Sequence, residues 1–174
     1  MALMALVLPL LVVCGKGHGP PEPRNKSMEI NFIAMGDWGL DSPNLQLTAW
    51  RMAEHVSSWP LEAAHADGFK MVGDHLYDVE DRRFAIGLGD NFYPAGVGTV
   101  TDTRFETTFH HHFGLYPPLG DLRFYMVLGN HDYIFNPRAQ IERHYALDVT
   151  GGLRPRWTMP WHWYGLRTFI APNS

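Results

Sequence analysis

Short apolar runs punctuate this chain, and three of them end at the same kind of corner. Residues 30–35 are mostly apolar and stop at Gly36-Asp37. Residues 84–88 do the same before Gly89-Asp90, and residues 124–128 before Gly129-Asn130. Runs of this length bounded by glycine predict buried strands. Between them the spacing turns helical. Residues 44–58 predict a helix whose apolar face is Leu47, Trp50, Met52 and Ala53. Residues 103–113 predict another, with Phe105, Phe109 and Phe113 four apart on one face, broken by Pro117-Pro118. A third helix is predicted over residues 137–146. The aromatic-rich remainder reads as a loop leading to a strand at residues 164–170. Strands alternating with helices indicate an α/β fold.

Residues 59–83 fit this order least. They contain Pro60, a candidate short helix at residues 61–66, and then Gly73-Asp74-His75-Leu76-Tyr77, which imitates Gly89-Asp90-Asn91-Phe92-Tyr93. The interval from Asp37 to Asp90 is long for one crossover, so this stretch reads as inserted. The second copy is taken as the functional one, because the run before it lacks a charge like that of Lys70.

Asp37, Asp90 and Asn130 place oxygen donors at successive strand ends, where ligand-binding groups of α/β proteins gather. Bare carboxylates brought together there repel. Cations between them relieve the repulsion, and a central Asp90 can bridge two ions, the arrangement that clamps both oxygens in phosphoryl transfer. A phenolic donor, Tyr93, favours a hard trivalent ion. His131 is placed to bond a phosphoryl oxygen or to protonate a departing alkoxide. Asp132 either orients His131 or caps the following turn. Singly, each corner reads as a turn, since glycine supplies positive φ and Asp caps backbone. Together and in this order they read as a site. The run His110-His111-His112 does not: three consecutive helical residues diverge.

Bulk composition adds limits. A 174-residue chain with 45% hydrophobic and 18% charged residues is one domain's worth, or part of a larger one. A net charge of -4 gives no footprint for nucleic acid. Residues 1–13 are all apolar or Pro, too short to span a bilayer but suited to a secretory signal, so residues 1–19 read as a signal peptide and no stable membrane span is expected. Residues 20–27 then form a Pro/Gly-rich linker carrying an N-glycosylation sequon at Asn25, and residues 28–174 a partial catalytic-type domain. Cys14 is the single cysteine, which leaves the mature chain without a disulfide.

Gly36-Asp37-Trp38-Gly39, Gly89-Asp90-Asn91-Phe92-Tyr93 and Gly129-Asn130-His131-Asp132 resemble the first three motif blocks of the calcineurin-like metallophosphoesterases. Trp38 and the Asn91-Phe92-Tyr93 sequence are similar to the small purple (tartrate-resistant) acid phosphatases. The resemblance covers residues 29–165 apart from 59–83. It implies hydrolysis of phosphate monoesters at a binuclear centre of Fe(III) plus Fe(II), Zn or Mn. Asp37 and Tyr93 would hold the ferric ion, Asp90 would bridge, and Asn130 would bind the divalent ion. Asn91 and His131 would lie on the substrate side, with His131 assisting the leaving group. The family's later histidine blocks have no counterpart: His162 alone follows His144. The chain therefore reads as the N-terminal part of an incomplete two-sheet α/β sandwich, and the implied localisation is secreted, lysosomal or cell-surface. Two alternatives stand beside the phosphatase reading, a non-catalytic secreted fragment and a phosphodiesterase of the same superfamily.

Overall fold

A computed structural model describes residues 30–59, 69–79, 82–146 and 157–168. In chain order its strands are β1 (Asn31–Met35), β2 (Phe69–Gly73), β3 (Leu76–Val79), β4 (Arg83–Gly87), β5 (Arg123–Met126), β6 (Trp157–Thr158) and β7 (Gly165–Thr168). Helices α1 (Pro43–Ser57), α2 (Pro117–Gly120) and α3 (Pro137–Tyr145) are joined by a π helix at Phe105–Gly114 and a 3-10 turn at Asp132–Ile134. The protein is α/β, as expected, with two sheets.

The larger sheet has the order β1-β4-β5-β6 and is parallel throughout. All three predicted corners therefore leave the carboxyl ends of neighbouring strands. The register carries this directly: Met35 pairs with Gly87, and Gly87 with Met126. β6 was not expected. Two residues are too few to show a period, and Trp157 and Thr158 are both buried.

Helix α1 starts where the sequence provides for it, with the Ser42 hydroxyl accepting from the Leu45 N–H (3.3 Å) and Pro43 in the first turn. Its buried face is Leu45, Ala49, Met52, Ala53 and Val56. Leu47 and Trp50 instead face solvent, 55% and 39% exposed. The stripe at spacings of three and four from Leu45 wins, because it is the face that joins the main core where α1 packs beside α2 and the π helix. The π helix buries Phe105, Phe109 and Phe113 as predicted. A spacing of four keeps them on one face in this wider winding. They pack with Trp38, Phe92, Phe124 and Trp157 in an aromatic core, with ring centroids 5.0 to 5.9 Å apart.

The second sheet has the order β2-β3-β7, antiparallel between β2 and β3 and parallel between β3 and β7. The sequence that imitates the central motif is the turn of this hairpin, Asp74-His75, with His75 at a φ of 54°. Asp74 thus sits in a tight turn rather than at the end of a parallel strand. The predicted helix at residues 61–66, the leader, the linker and Asn25 lie outside the described residues. Among the described residues no helix is long and apolar enough to cross a membrane.

Candidate metal centre

The first two corners are laced together by backbone. Asp37 N–H donates to Gly89 O (3.2 Å), Gly39 N–H to Asp90 O (3.1 Å) and Tyr93 N–H to Gly39 O (2.9 Å). Asp37 and Asp90 both adopt left-handed backbone, φ 54° and 53°, a conformation Asp tolerates better than most residues. The second and third corners meet through glycine. Gly89 has a φ of 101°, and a Cβ there would stand 2.6 Å from Gly129 N; a Cβ on Gly129 would stand 2.2 Å from Asp90 N and Oδ1. No side chain fits between these two turns, which is the physical reason for the repeated glycine.

The result is a convergence of oxygens. The Tyr93 hydroxyl lies 3.0 Å from Asp37 Oδ1 and 2.8 Å from Asp90 Oδ2. A phenol has one proton, so it satisfies one carboxylate at a time and leaves the other contact between two acceptors. Burial first, and then the hydrogen bonds and charges of Asp90 and Asp37, push the Tyr93 hydroxyl well above its ordinary range. Burial alone would raise the Asp90 carboxyl too, but the His131 backbone N–H and the Tyr93 hydroxyl outweigh it and hold Asp90 below its usual value. A hard cation in place of the shared proton would satisfy all three oxygens at once. The Asp37, Asp90 and Tyr93 donor set fits such an ion.

His131 joins this group through its backbone, with its N–H donating to Asp90 Oδ1 (3.0 Å). Its ring packs against Tyr93, with centroids 4.5 Å apart, and Nδ1 lies 2.7 Å from Pro94 O. A carbonyl only accepts, so Nδ1 carries the proton and Nε2 is the nitrogen left for chemistry. Asn130 is exposed at the turn beyond β5. Among the described residues no three His, Cys, Asp or Glu side chains gather closely enough to hold an ion. The convergence consists of two carboxylates and a phenol.

Two residues have roles other than those their motifs implied. Asn91 is fully buried: its Oδ1 accepts from Trp38 Nε1 (3.1 Å), and Nδ2 donates to Val127 O (2.8 Å) and Gln140 Oε1 (3.0 Å). Both amide hydrogens are spent inside the protein, so in this structure Asn91 is a buried brace that also anchors Trp38. Asp132 does not touch the His131 ring. Its buried carboxylate accepts from the backbone N–H groups of Asn91 (3.0 and 3.1 Å), Phe92 (3.2 Å) and Gly129 (2.9 Å), and from Gln140 Nε2 (2.8 Å). It ties the β4 corner to the β5 corner, a role that neither reading of Asp132, orienting His131 or capping the following turn, describes. Gln140 was missed; its only signal is a polar residue between Ala139 and Ile141 on the buried side of α3. Of the three consecutive histidines, His112 alone is buried, 2.8 Å from Asp41 Oδ1, while His110 and His111 are exposed.

No family profile matches the chain. It is 34% identical over 146 residues to tartrate-resistant acid phosphatase type 5 of Oryctolagus cuniculus, covering 83% of this chain and 37% of that protein. It is 30% identical to the Rattus norvegicus protein of the same name, over 100% of this chain and 43% of that one. Purple acid phosphatase 7 of Arabidopsis thaliana is 30% identical over 88% of this chain and 37% of its own length. The chain thus spans about two fifths of the curated relatives it matches. A solved structure described as GAP50, the anchor in the inner membrane complex of Plasmodium, superposes with a TM-score of 0.52 at 23% identity, over 76% of this chain and 34% of that chain, and shares the fold. With these relatives and this arrangement of corners, the chain belongs to the metallophosphoesterase family and is similar within it to the purple (tartrate-resistant) acid phosphatases.

Proposed function

We propose that this chain carries the carboxylate-and-phenol side of an acid phosphatase-type site that hydrolyses phosphate monoesters at a binuclear metal centre. The observation that carries the reading is the meeting of Asp37, Asp90 and Tyr93 oxygens within hydrogen-bond distance of one phenol. Asp37, Asp90 and Tyr93 would hold Fe(III); Asp90 and Asn130 would serve a divalent Fe(II), Zn or Mn. When bound, the ions neutralise phosphate charge and activate the attacking water. The chain's own contribution beyond them is His131. Its ring is fixed by Pro94 O and by the Tyr93 face, so Nε2 is held in one orientation. In the imidazolium form that nitrogen donates a proton to the departing alkoxide. The leader at residues 1–13 supports delivery to the secretory pathway.

A second reading, a non-catalytic chain that binds phosphate esters without turnover, is favoured because among the described residues no three His, Cys, Asp or Glu side chains gather closely enough to hold an ion. Purified chain supplied with iron and zinc salts separates the two. The phosphatase reading requires phosphate release from p-nitrophenyl phosphate in acidic buffer, faster than cleavage of bis(p-nitrophenyl) phosphate, and loss of release in Asp90→Ala. Binding without release supports the second reading. Preference for the diester would replace both with a phosphodiesterase.

A further inference from the structure

The π helix grips the Asp37 corner at two consecutive residues, for different reasons. Phe113 packs edge to face on Trp38, with centroids 5.3 Å apart, as part of the aromatic core. Its neighbour His112 is buried and places Nε2 2.8 Å from Asp41 Oδ1. An ionised carboxylate only accepts, so Nε2 carries the proton. His112 Nδ1 is buried too, and among the described residues it has no hydrogen-bond partner. Half of the ring's polarity is thus unmet, where an apolar side chain would pack without that cost. The Asp41 side chain is 61% exposed, so the bond adds little to global stability. A polar ring kept buried at a cost, for a bond that stabilises little, points to work done locally.

That work concerns the loop between the first corner and α1. Asp37 is exposed, so its carboxylate is placed by the backbone of its corner and by the Tyr93 hydroxyl. The backbone is tied to the second corner as far as Gly39, whose N–H donates to Asp90 O and whose carbonyl accepts from Tyr93 N–H. Beyond Gly39 come Leu40 and Asp41, both exposed, before Ser42 caps α1. Leu40 N–H turns back to Trp38 O (2.9 Å), which closes the loop on itself rather than on the rest of the protein. The His112 bond joins this outer side of the loop to the helix that also seats Trp38, the residue next to Asp37.

We infer that His112 is a positioning residue for the metal centre: through Asp41 it holds the corner that presents Asp37 to the ferric ion. The inference rests on the phosphatase reading above, since that ion is what Asp37 is positioned for. His112 touches neither ion nor substrate and acts through the loop. Oxygens from Asp37, Asp90 and Tyr93 must meet at one point, and such a constellation tolerates displacements of only about 0.5 Å. A loop released at Asp41 lets Asp37 move while Asp90 and Tyr93, held by the second corner, stay in place.

Amide hydrogen exchange of the metal-free whole chain, followed by NMR, and iron titration of the same chain test this together. Exchange at the Asp37 and Gly39 N–H groups, both bonded to the second corner, is expected to quicken about ten-fold in Asp41→Ala, the worth of one hydrogen bond to a charged group. Ala49 and Met52, buried in α1, should exchange at the parent rate. Iron affinity, read from the visible band of the bound phenolate, should fall about ten-fold, the low end for outer partners of metal ligands because the bond acts on the loop. Asp41→Asn keeps an acceptor for Nε2 and should bring both readings back to near the parent. His112→Leu removes the donor and should reproduce Asp41→Ala; if it does not fold, the two variants at exposed Asp41 carry the test. Unchanged exchange or unchanged iron affinity in Asp41→Ala overturns the inference and leaves the phosphatase reading standing. So does an Asp41→Asn that behaves as Asp41→Ala, which shows the charge at work rather than the bond, or faster exchange at Ala49 and Met52, which shows a general loss of stability. A parent chain that takes up no iron overturns the phosphatase reading and the inference with it.

Discussion

Asp132→Ala removes the acceptor that joins two of the three corners. The carboxylate is fully buried and serves three backbone N–H groups, from Asn91, Phe92 and Gly129, together with Gln140 Nε2. Its loss leaves four donors, three of them buried and that of Gly129 partly so, without their partner. Taking about 1 kcal/mol for each, the low end because water can enter the vacated space, the cost is about 4 kcal/mol. That is a large share of the stability of a domain this size. Urea unfolding followed by the fluorescence of buried Trp38 and Trp157 reads it as a lower midpoint at an unchanged slope. Asp132→Asn keeps an acceptor toward Asn91, Phe92 and Gln140 but turns an NH₂ toward Gly129, and should cost about half as much. It keeps the argument testable if the alanine variant does not fold. A loss below about 1 kcal/mol in Asp132→Ala would refute the claim that this carboxylate knits the corners.

Three further outcomes follow from particular contacts. Gly129→Ala forces its methyl onto Asp90 N and Oδ1, so it should destabilise the fold and displace Asp90; urea unfolding and the loss of metal retention check this. His144 is buried, and burial first, with the Arg123 charge second, lowers it from 6.5 to about 4. Because its folded value is the lower one, its contribution is full above pH 6.5 and is lost as pH falls toward about 4, by on the order of 3 kcal/mol. His144→Gln should therefore lose less stability than the parent over that window, and an identical pH dependence would contradict this. Expressed in a secreting eukaryotic cell, the chain should carry glycan at Asn25; an enzymatic deglycosylation shift that survives Asn25→Gln would place the modification elsewhere.

The corners were legible because their residues are chosen by chemistry and by backbone. Glycine is demanded where Gly89 and Gly129 touch, and the oxygen donors repeat at each strand end. Elements with strong periods, such as the Phe105, Phe109 and Phe113 face, were equally readable. What failed was anything decided by a long-range partner. Leu47 and Trp50 looked like a helix face until packing beside α2 and the π helix selected the Leu45 stripe. Asp74 and Asp90 share a local spacing, and only the pairing of their strands separates a hairpin turn from a site corner. Asn91 sits inside the motif yet points into a buried network with Trp38 and Gln140, residues 53 and 49 positions away.

The central claim is that Asp37, Asp90 and Tyr93 form one cation-binding cluster. Its most direct test is the visible spectrum of the purified whole chain after iron and zinc are supplied and unbound metal is removed. A phenolate bound to Fe(III) absorbs visible light, and the account predicts such a band, lost in Tyr93→Phe and in Asp90→Ala. A band that persists in Tyr93→Phe, or a chain that retains no iron at all, would contradict it.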